Sequence, residues 1–589
     1  TLLPYCIALL CLFATGASSL RAQGANTIFL DQIGFYPDQS KLAVVPDSIS
    51  GAFSVVSENG GDTVLRGDIG PARAWAPAGS SFRTIDFSAL REPGTYVLRA
   101  GAAASYPFEV REHVHEALLK GAIKGFYYQR VSTPLEARYA GKWARAEGHP
   151  DTVVLIHPSA AGPTRAAGAV ISAPKGWYDA GDYNKYVVNS GISTYTLLAL
   201  YEHYPAYMLA LAVDIPESDN RVPDVLDEAL WNLRWMLAMQ DPADGGVYHK
   251  LTTAEFSGFV RPEQDVATRY VVQKSTAAAL DFAAVMAQAS RIFAEYENEL
   301  PGLADSMRTA AVAAWQWARL HPDVLYRQEE LNRMYDPDIE TGAYGDRAVA
   351  DEFSWAAAEL FVTTGADSLL DVVGDPGALN VPSWGSVRTL AYYTLARHLD
   401  NLPASFDRRR ITGPLLALAD TLRQAYRTSP LRIPMGAGAR DFVWGSNAVA
   451  ANQGMALIQA FALTKDSTYL DAARANLDYI LGRNPTGYSF VTGFGDRTPM
   501  HPHHRPSESD DVVDPVPGLL AGGPNPGQQD QCSGYPSRLP ALSYLDDQCS
   551  YASNEIAINW NAPLVYLTGA LEAVLSPDSQ PAPQQGGTR

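Results

Sequence analysis

Eleven stretches between residues 113 and 575 repeat apolar side chains at helical spacing, among them "EALLKGAIKGFYYQR", "KSTAAALDFAAVMAQASRIFAEY" and "NEIAINWNAPLVYLTGALEAVL". Apolar positions three and four apart share one helix face, so each stretch must bury that face against a neighbour. About eleven helices over about 460 residues, with no heptad seam and no short repeat, fit either a helical solenoid or a closed ring of helical hairpins. Periodicity alone does not choose between them, and strand signals nearly vanish in this part of the chain.

Residues 25–112 have a different texture. Short alternating segments such as "KLAVVP", "FSVVSE", "FRTIDF" and "TYVLRA" are separated by Gly, Pro, Asn and Asp, the spacing of a small β-sandwich. The junction "FEVREHVHEALLK" carries no Gly/Ser linker, which predicts a packed contact between sandwich and helical domain. Residues 1–24 have the layout of a secretory signal whose basic start is missing, and no later stretch approaches membrane-spanning length, so a secreted (extracellular or periplasmic), soluble monomer is expected. Residues 576–589 are rich in Pro, Gln and Gly and are predicted to be disordered.

A net charge of −19 argues against nucleic acid or an anionic membrane as partner, because both demand clustered Lys and Arg. A neutral substrate is compatible, and 30 Tyr with 11 Trp supply the flat amphipathic surfaces that suit sugar faces. Of four cysteines, Cys6 and Cys11 fall in the leader, which leaves Cys532 and Cys549 as one candidate pair.

Three stretches carry chemistry. In "GWYDAGDYNKYV", Asp179 and Asp182 flank an Ala-Gly pair between large aromatics. A solvated turn would place them so, but the ligand pattern of an EF-hand calcium loop is missing. Two close carboxylates can hold and deprotonate one water, provided an acid comes from elsewhere. In "YLDDQCSYASNEIAINWNAPLVYL", Glu555 follows Ser553 and Asn554 one residue into an apolar helical pattern. Helix capping would explain it, whereas Tyr551, Ile556 and Trp560 around the carboxyl would raise its pKa and keep it protonated. In "SFVTGFGDRTPMHPHHRPS", His501, His503, His504 and Arg505 meet in a Gly/Pro-rich loop without the companions of a zinc site, so sugar recognition fits better.

These three stretches together resemble the family 9 glycoside hydrolases, mostly cellulases. Ser489, Val491, Thr492, Gly495, Arg497, Pro502, His503 and Arg505 match the family's His-Arg signature, and Tyr544, Asp546, Tyr551, Glu555, Ala557, Asn561 and Ala562 match its acid-region signature. The resemblance implies a mainly α fold, an (α/α)6 barrel preceded by a small immunoglobulin-like β-sandwich. It implies single-step inversion with Asp182 as general base, Asp179 holding the water and Glu555 as general acid, the carboxyls of base and acid roughly 6.5–9.5 Å apart. His503, Arg505 and Asp546 become substrate-binding candidates, with Trp444, Tyr551 and Trp560 as stacking or wall residues. Tyr248 and His249 lie in a family-like stretch with no assigned contact. Asp346, Asp351 and Glu352 resemble a calcium-binding region, helix N-terminal acids being the alternative, and no cofactor is required for the chemistry. The implied activity is endo-β-1,4-glucan hydrolysis; an exo-acting cellobiohydrolase or glucosaminidase, or a silent glycan-binding protein, are the alternatives.

Overall fold

The computed structural model describes residues 28–576, so the leader and the Pro/Gln-rich tail lie outside the described residues. The first part is a two-sheet sandwich. Leu42–Pro46, Ser80–Asp86 and Arg73–Trp75 form a three-stranded sheet, and a six-stranded sheet is built around Ala52–Ser57 and Gly94–Ala100. Their inward alternating residues, among them Ala43, Val45, Phe53, Val55, Ile85 and Leu98, make a small core of their own.

The helical part closes into a ring. Twelve helices alternate between an outer and an inner layer: α1 (Glu116–Tyr128), α2 (Val187–His203), α3 (Asp224–Ala238), α4 (Thr276–Phe293), α5 (Leu303–Leu320), α6 (Ala350–Thr364), α7 (Ser368–Val373), α8 (Arg388–Arg397), α9 (Arg409–Thr428), α10 (Ser446–Thr464), α11 (Ser467–Ile480) and α12 (Ile558–Leu575). The inner six have even numbers, and α12 packs against both α2 and α10, which closes the circle that periodicity left open. Inner helices such as α2 and α4 are buried almost all round, whereas α5 and α9 bury only one stripe. The expected eleven helices are all present; the twelfth, α7, spans six residues and is too short to show a periodic pattern. The α4 segment is also long and apolar enough to cross a membrane, contrary to the reading of length above, but 89% of it is buried as a barrel stave.

Strand structure does persist beyond residue 112. Val154–Ile156, Val170–Ile171, Lys185–Tyr186, Lys250–Thr252 and Tyr270–Val271 form a five-stranded sheet. Each strand is two or three residues long, below the length at which alternation is readable. This sheet holds the chain directly after Asp182.

The sandwich is clamped to the barrel. Trp75 packs edge-on against Phe442 at 6.2 Å, and Gln32 bonds to Gly487, Asp496 and Arg497 through its side-chain amide. In the buried seam Tyr36 donates to Glu572 at 2.7 Å, and His115 sits 3.0 Å from Asp31 and 3.2 Å from the Tyr36 hydroxyl.

Candidate active site

At one mouth of the barrel lies a cleft of about 1100 Å³ whose lining includes Asp179, Asp182, Tyr344, His503, Arg505 and Glu555. The aspartates sit on a loop that the backbone fixes at both ends: Asp179 N–H donates to Asn184 O, and Asp179 O accepts from Ile558 N–H at 2.9 Å. Each carboxylate has its own pair of donors. Asp179 accepts from Asn189 at 2.6 Å and from the Tyr344 hydroxyl at 2.7 Å; Asp182 accepts from Asn184 at 2.6 Å and from the Tyr186 hydroxyl at 3.0 Å. Asp179 is 1% exposed, and burial, reinforced by the Asp182 charge, pushes its carboxyl up to about 8 against the opposing pull of its two donors.

Glu555 is not part of a helix, which corrects the reading of its surroundings. Helix α12 begins at Ile558, and residues 555–557 run extended: Glu555 pairs in parallel with His503, its carbonyl accepts from Gly522 N–H at 2.8 Å, and Ile556 pairs with Ala521. These bonds occupy the backbone groups that a helix would need. Burial raises the Glu555 carboxyl well above the usual carboxylate range, the charges of Asp182 and Asp179 add to the effect, and Arg505 and the Gly181 N–H oppose it.

The two walls meet at Gly181. Its carbonyl accepts from Arg505 N–H at 3.1 Å and from Arg505 Nη1 at 2.7 Å. A Cβ at this position would lie 2.1 Å from the His503 carbonyl oxygen, so only glycine permits the approach. Arg505 also donates through Nε to Ser257 O at 2.8 Å; two edges of the guanidinium are therefore spent on protein carbonyls, and fastening the Asp loop is its first task.

His503 lines the cleft, with Nδ1 2.7 Å from Gln548 O and its ring edge-on to Tyr551 at 5.6 Å. Burial lowers its pKa, so the ring is held neutral with Nε2 as its remaining polar atom. His504 is buried between Ser507 and Gln129, and Gln129 in turn donates to Ala180 O, which braces the Asp loop from below. His501 is exposed, with Nδ1 4.0 Å from Glu508 Oε1, so the three histidines make separate contacts.

Trp444, Tyr551 and Trp560 line the cleft, Trp444 and Tyr551 lying 5.3 Å apart. Asp546 is outside the lining. Its carboxylate accepts from the N–H groups of Met500 and His501 and from Asn554, so it shapes the loop that carries His503. His249 is buried too: it bridges Ser275 and Ala343 O, stacks on Tyr326 at 4.2 Å, and burial pushes it down to about 3, which makes it a strut for the loop before Tyr344. Cys532 and Cys549 are bonded, closing the loop that presents Gln548 and Tyr551.

Sequence reasoning missed Tyr186, Tyr344 and Asn189, which hold the aspartates, and Asp281. This last residue, on α4, faces Asp346, Asp351 and Glu352. Both carboxylate oxygens of Asp281, both of Glu352 and one of Asp346 are buried with no hydrogen-bond partner among the described residues. Asp351 accepts from Val387 N–H at 2.9 Å. Burial and the charges of Asp281, Asp351 and Asp346 push Glu352 up to about 12, and Asp281 is raised for the same reasons.

The chain matches the pattern of glycosyl hydrolase family 9 over residues 115–568 and that of the cellulase N-terminal ig-like domain over residues 23–105. It is 47% identical to the xyloglucan-specific endo-beta-1,4-glucanase BoGH9A of Bacteroides ovatus, over 93% of this chain and 94% of that protein. It is 32% identical to endoglucanase D of Acetivibrio thermocellus, over 94% of this chain and 85% of that protein. The solved structure of a Bacteroides ovatus GH9 superposes with a TM-score of 0.89 at 45% identity, covering 93% of this chain and 99% of that one. A catalytic barrel with this site, clamped to this sandwich, belongs to glycosyl hydrolase family 9: the chain is a glycoside hydrolase of the endoglucanase type.

Proposed function

We propose that this enzyme is exported and cuts the backbone of xyloglucan, a β-1,4-glucan bearing pentosyl branches at C6. The observation that carries the substrate is the 47% identity, over nearly the full length of both chains, to a relative named for that specificity. Export rests on the apolar run at residues 2–13 followed by small residues.

Hydrolysis proceeds with inversion. Asp182 takes a proton from a water whose oxygen attacks the anomeric carbon. The bond from that carbon to the glycosidic oxygen breaks, its electron pair stays on the oxygen, and Glu555 protonates it. Asp179, whose carboxyl burial pushes up to about 8, is gripped by Tyr344 and Asn189 and orients the water. Solvent then carries the proton from Asp182 back to Glu555.

No cofactor enters this chemistry. The carboxylates of Asp281, Asp346, Asp351 and Glu352 are hard oxygen donors of the kind calcium takes, and five of their oxygens are buried with no hydrogen-bond partner among the described residues. Calcium there would supply structure, joining α4 to α6 and to the loop that carries Tyr344.

The test is the ratio of kcat/KM on xyloglucan to that on carboxymethylcellulose, with product sizes followed in time. A ratio well above one with early release of mid-sized fragments is expected; faster cleavage of the undecorated glucan refutes the substrate.

A further inference from the structure

The oxygens of the two catalytic-loop aspartates are not served alike. Asp179 accepts one bond on each oxygen, from Asn189 on Oδ1 and from Tyr344 on Oδ2, whereas both donors of Asp182, Asn184 at 2.6 Å and Tyr186 at 3.0 Å, converge on Oδ2. Oδ1 of Asp182 accepts no hydrogen bond from the described residues, which leaves it as the oxygen that can take a proton from water. What holds the two donors on Oδ2 lies behind them in the small sheet.

Lys250 is wholly buried there, paired across adjacent strands with Tyr186. Its three hydrogens are matched by three neutral acceptors, Gln328 Oε1 at 2.8 Å, Thr341 Oγ1 at 2.8 Å and Gly342 O at 2.7 Å, as an ammonium requires. Buried cations such as Lys185, Arg130 and Arg291 instead meet a carboxylate directly, at 2.7, 2.8 and 2.6 Å. No carboxylate of the described residues bonds to Lys250, and a buried charge without compensation is costly. Burial lowers its pKa well below the ordinary lysine value, and the charge that opposes this is that of Asp182.

Two paths join the ammonium to that carboxylate. Lys250 can only donate, so Thr341 Oγ1 accepts from it and is left to give its own hydrogen to Thr252 Oγ1 at 2.6 Å. Thr252 shares its hydrogen between Thr253 O at 2.9 Å and Asn184 Oδ1 at 3.1 Å. The Thr253 N–H also reaches Asn184 Oδ1, at 2.9 Å, which fixes the amide with Nδ2 towards Asp182 Oδ2. On the second path the ammonium lies 5.4 Å from the centre of the Tyr186 ring, and the hydroxyl of that ring donates to the same Oδ2. Both paths end on one oxygen of the base.

We propose that Lys250 is a positioning residue for the general base: acting through Thr341, Thr252 and Asn184, and through Tyr186, it supplies the counter-charge of Asp182 and keeps Oδ1 clear for the water. This rests on the reading of Asp182 as the base of an inverting reaction. The other ionisable groups that face the pair are Tyr326 and His249 beside Lys250, and Asp179, Glu555, His503 and Arg505 around the Asp182 loop; Lys250→Met leaves all of them in place.

The experiment measures kcat and KM on cellohexaose across pH for the wild type, Lys250→Met, Thr252→Val, Thr252→Ser and Asp182→Asn, with a melting temperature for each. A carboxylate that loses a nearby cation protonates more readily, so the acid limb of the Lys250→Met kcat/KM profile should move to higher pH by about half a pH unit or more. Thr252→Val keeps the charge and breaks the first path: kcat should fall about three- to tenfold, the worth of one hydrogen bond, with KM unchanged, and Thr252→Ser should recover it. A Lys250→Met limb at the wild-type position, or Thr252→Val and Thr252→Ser alike in kcat, overturns the positioning role whatever the melting temperatures; should Lys250→Met not fold, the Thr252 pair decides. Asp182→Asn separates the two readings. Retained hydrolysis overturns Asp182 as the base and the inference with it, whereas lost hydrolysis beside an unmoved Lys250→Met limb overturns the inference alone.

Discussion

Asp179→Asn tests whether burial holds the Asp179 carboxyl neutral, and it does so through stability alone. In the unfolded chain this carboxyl titrates near its ordinary value of 3.8; in the folded protein burial and the Asp182 charge raise it to about 8. A raised folded pKa makes a contribution that is fully present below pH 4 and is lost as pH rises towards 8, because only the unfolded chain sheds the proton cheaply in that window. Each pH unit between the two values costs about 1.4 kcal/mol, so from pH 4.5 to pH 8 the wild type loses roughly 4–5 kcal/mol that a neutral asparagine does not. An unfolding entropy of about 2.1 cal/mol/K per residue over about 550 described residues converts this to a melting-temperature gap of ~4 °C. Asparagine also replaces one acceptor of the Tyr344 and Asn189 bonds, but that loss is the same at every pH and shifts the two curves by a constant. Differential scanning calorimetry of both proteins between pH 4.5 and 8.5 reads the difference. The variant should gain on the wild type steadily up to pH 8 and then run parallel. A gap that stays flat, or narrows as pH rises, refutes a buried, neutral Asp179.

Three further outcomes follow from the site and the domain seam. Glu555→Gln should lower turnover of polymeric substrate about 10²–10⁴-fold while sparing aryl glycosides with activated leaving groups, since only proton donation is lost; equal losses on both argue against Glu555 as the acid. Chelation should lower the melting temperature, with calcium restoring it, because folded protein alone presents the Asp281, Asp346, Asp351 and Glu352 cluster; an indifferent melt would mean that no ion binds there. Deleting residues 25–112 exposes Phe442 and leaves Glu572 without Tyr36, so a lower melting temperature and lower activity on soluble substrate are expected, and an unchanged melt and rate would make the sandwich an independent module.

The parts of the site that were legible in the sequence are those whose chemistry is local. Asp179 and Asp182 stand three residues apart with aromatics on both sides, and Glu555 lies near Tyr551 and Trp560 in sequence, both of which line the same cleft. The groups that tune them were not legible, because their meaning is purely tertiary: Tyr344 reaches Asp179 across 165 positions, from a loop with no periodic pattern. Asp281 reads as an isolated acid in an alanine-rich helix until α6 is placed beside α4. Asp546 and Arg505 show the converse. Their residue types fit sugar recognition, but Asp546 is fully engaged with the chain's own N–H groups and Arg505 commits two edges to its own carbonyls, a competition that only coordinates reveal.

The junction at Gly181 bears on how the polymer gets in and out. Base loop and acid strand are joined there through the Gly181 carbonyl to Arg505, and again through Asp179 O to Ile558 N–H. Walls tied at their base cannot part like jaws, so acid and base are already assembled before any chain arrives and no lid has to shut to complete them. A long glucan can then drop in sideways at any point along its length and leave by sliding off either side. Discrimination in such an enzyme is set by what the trench accommodates rather than by a closing motion.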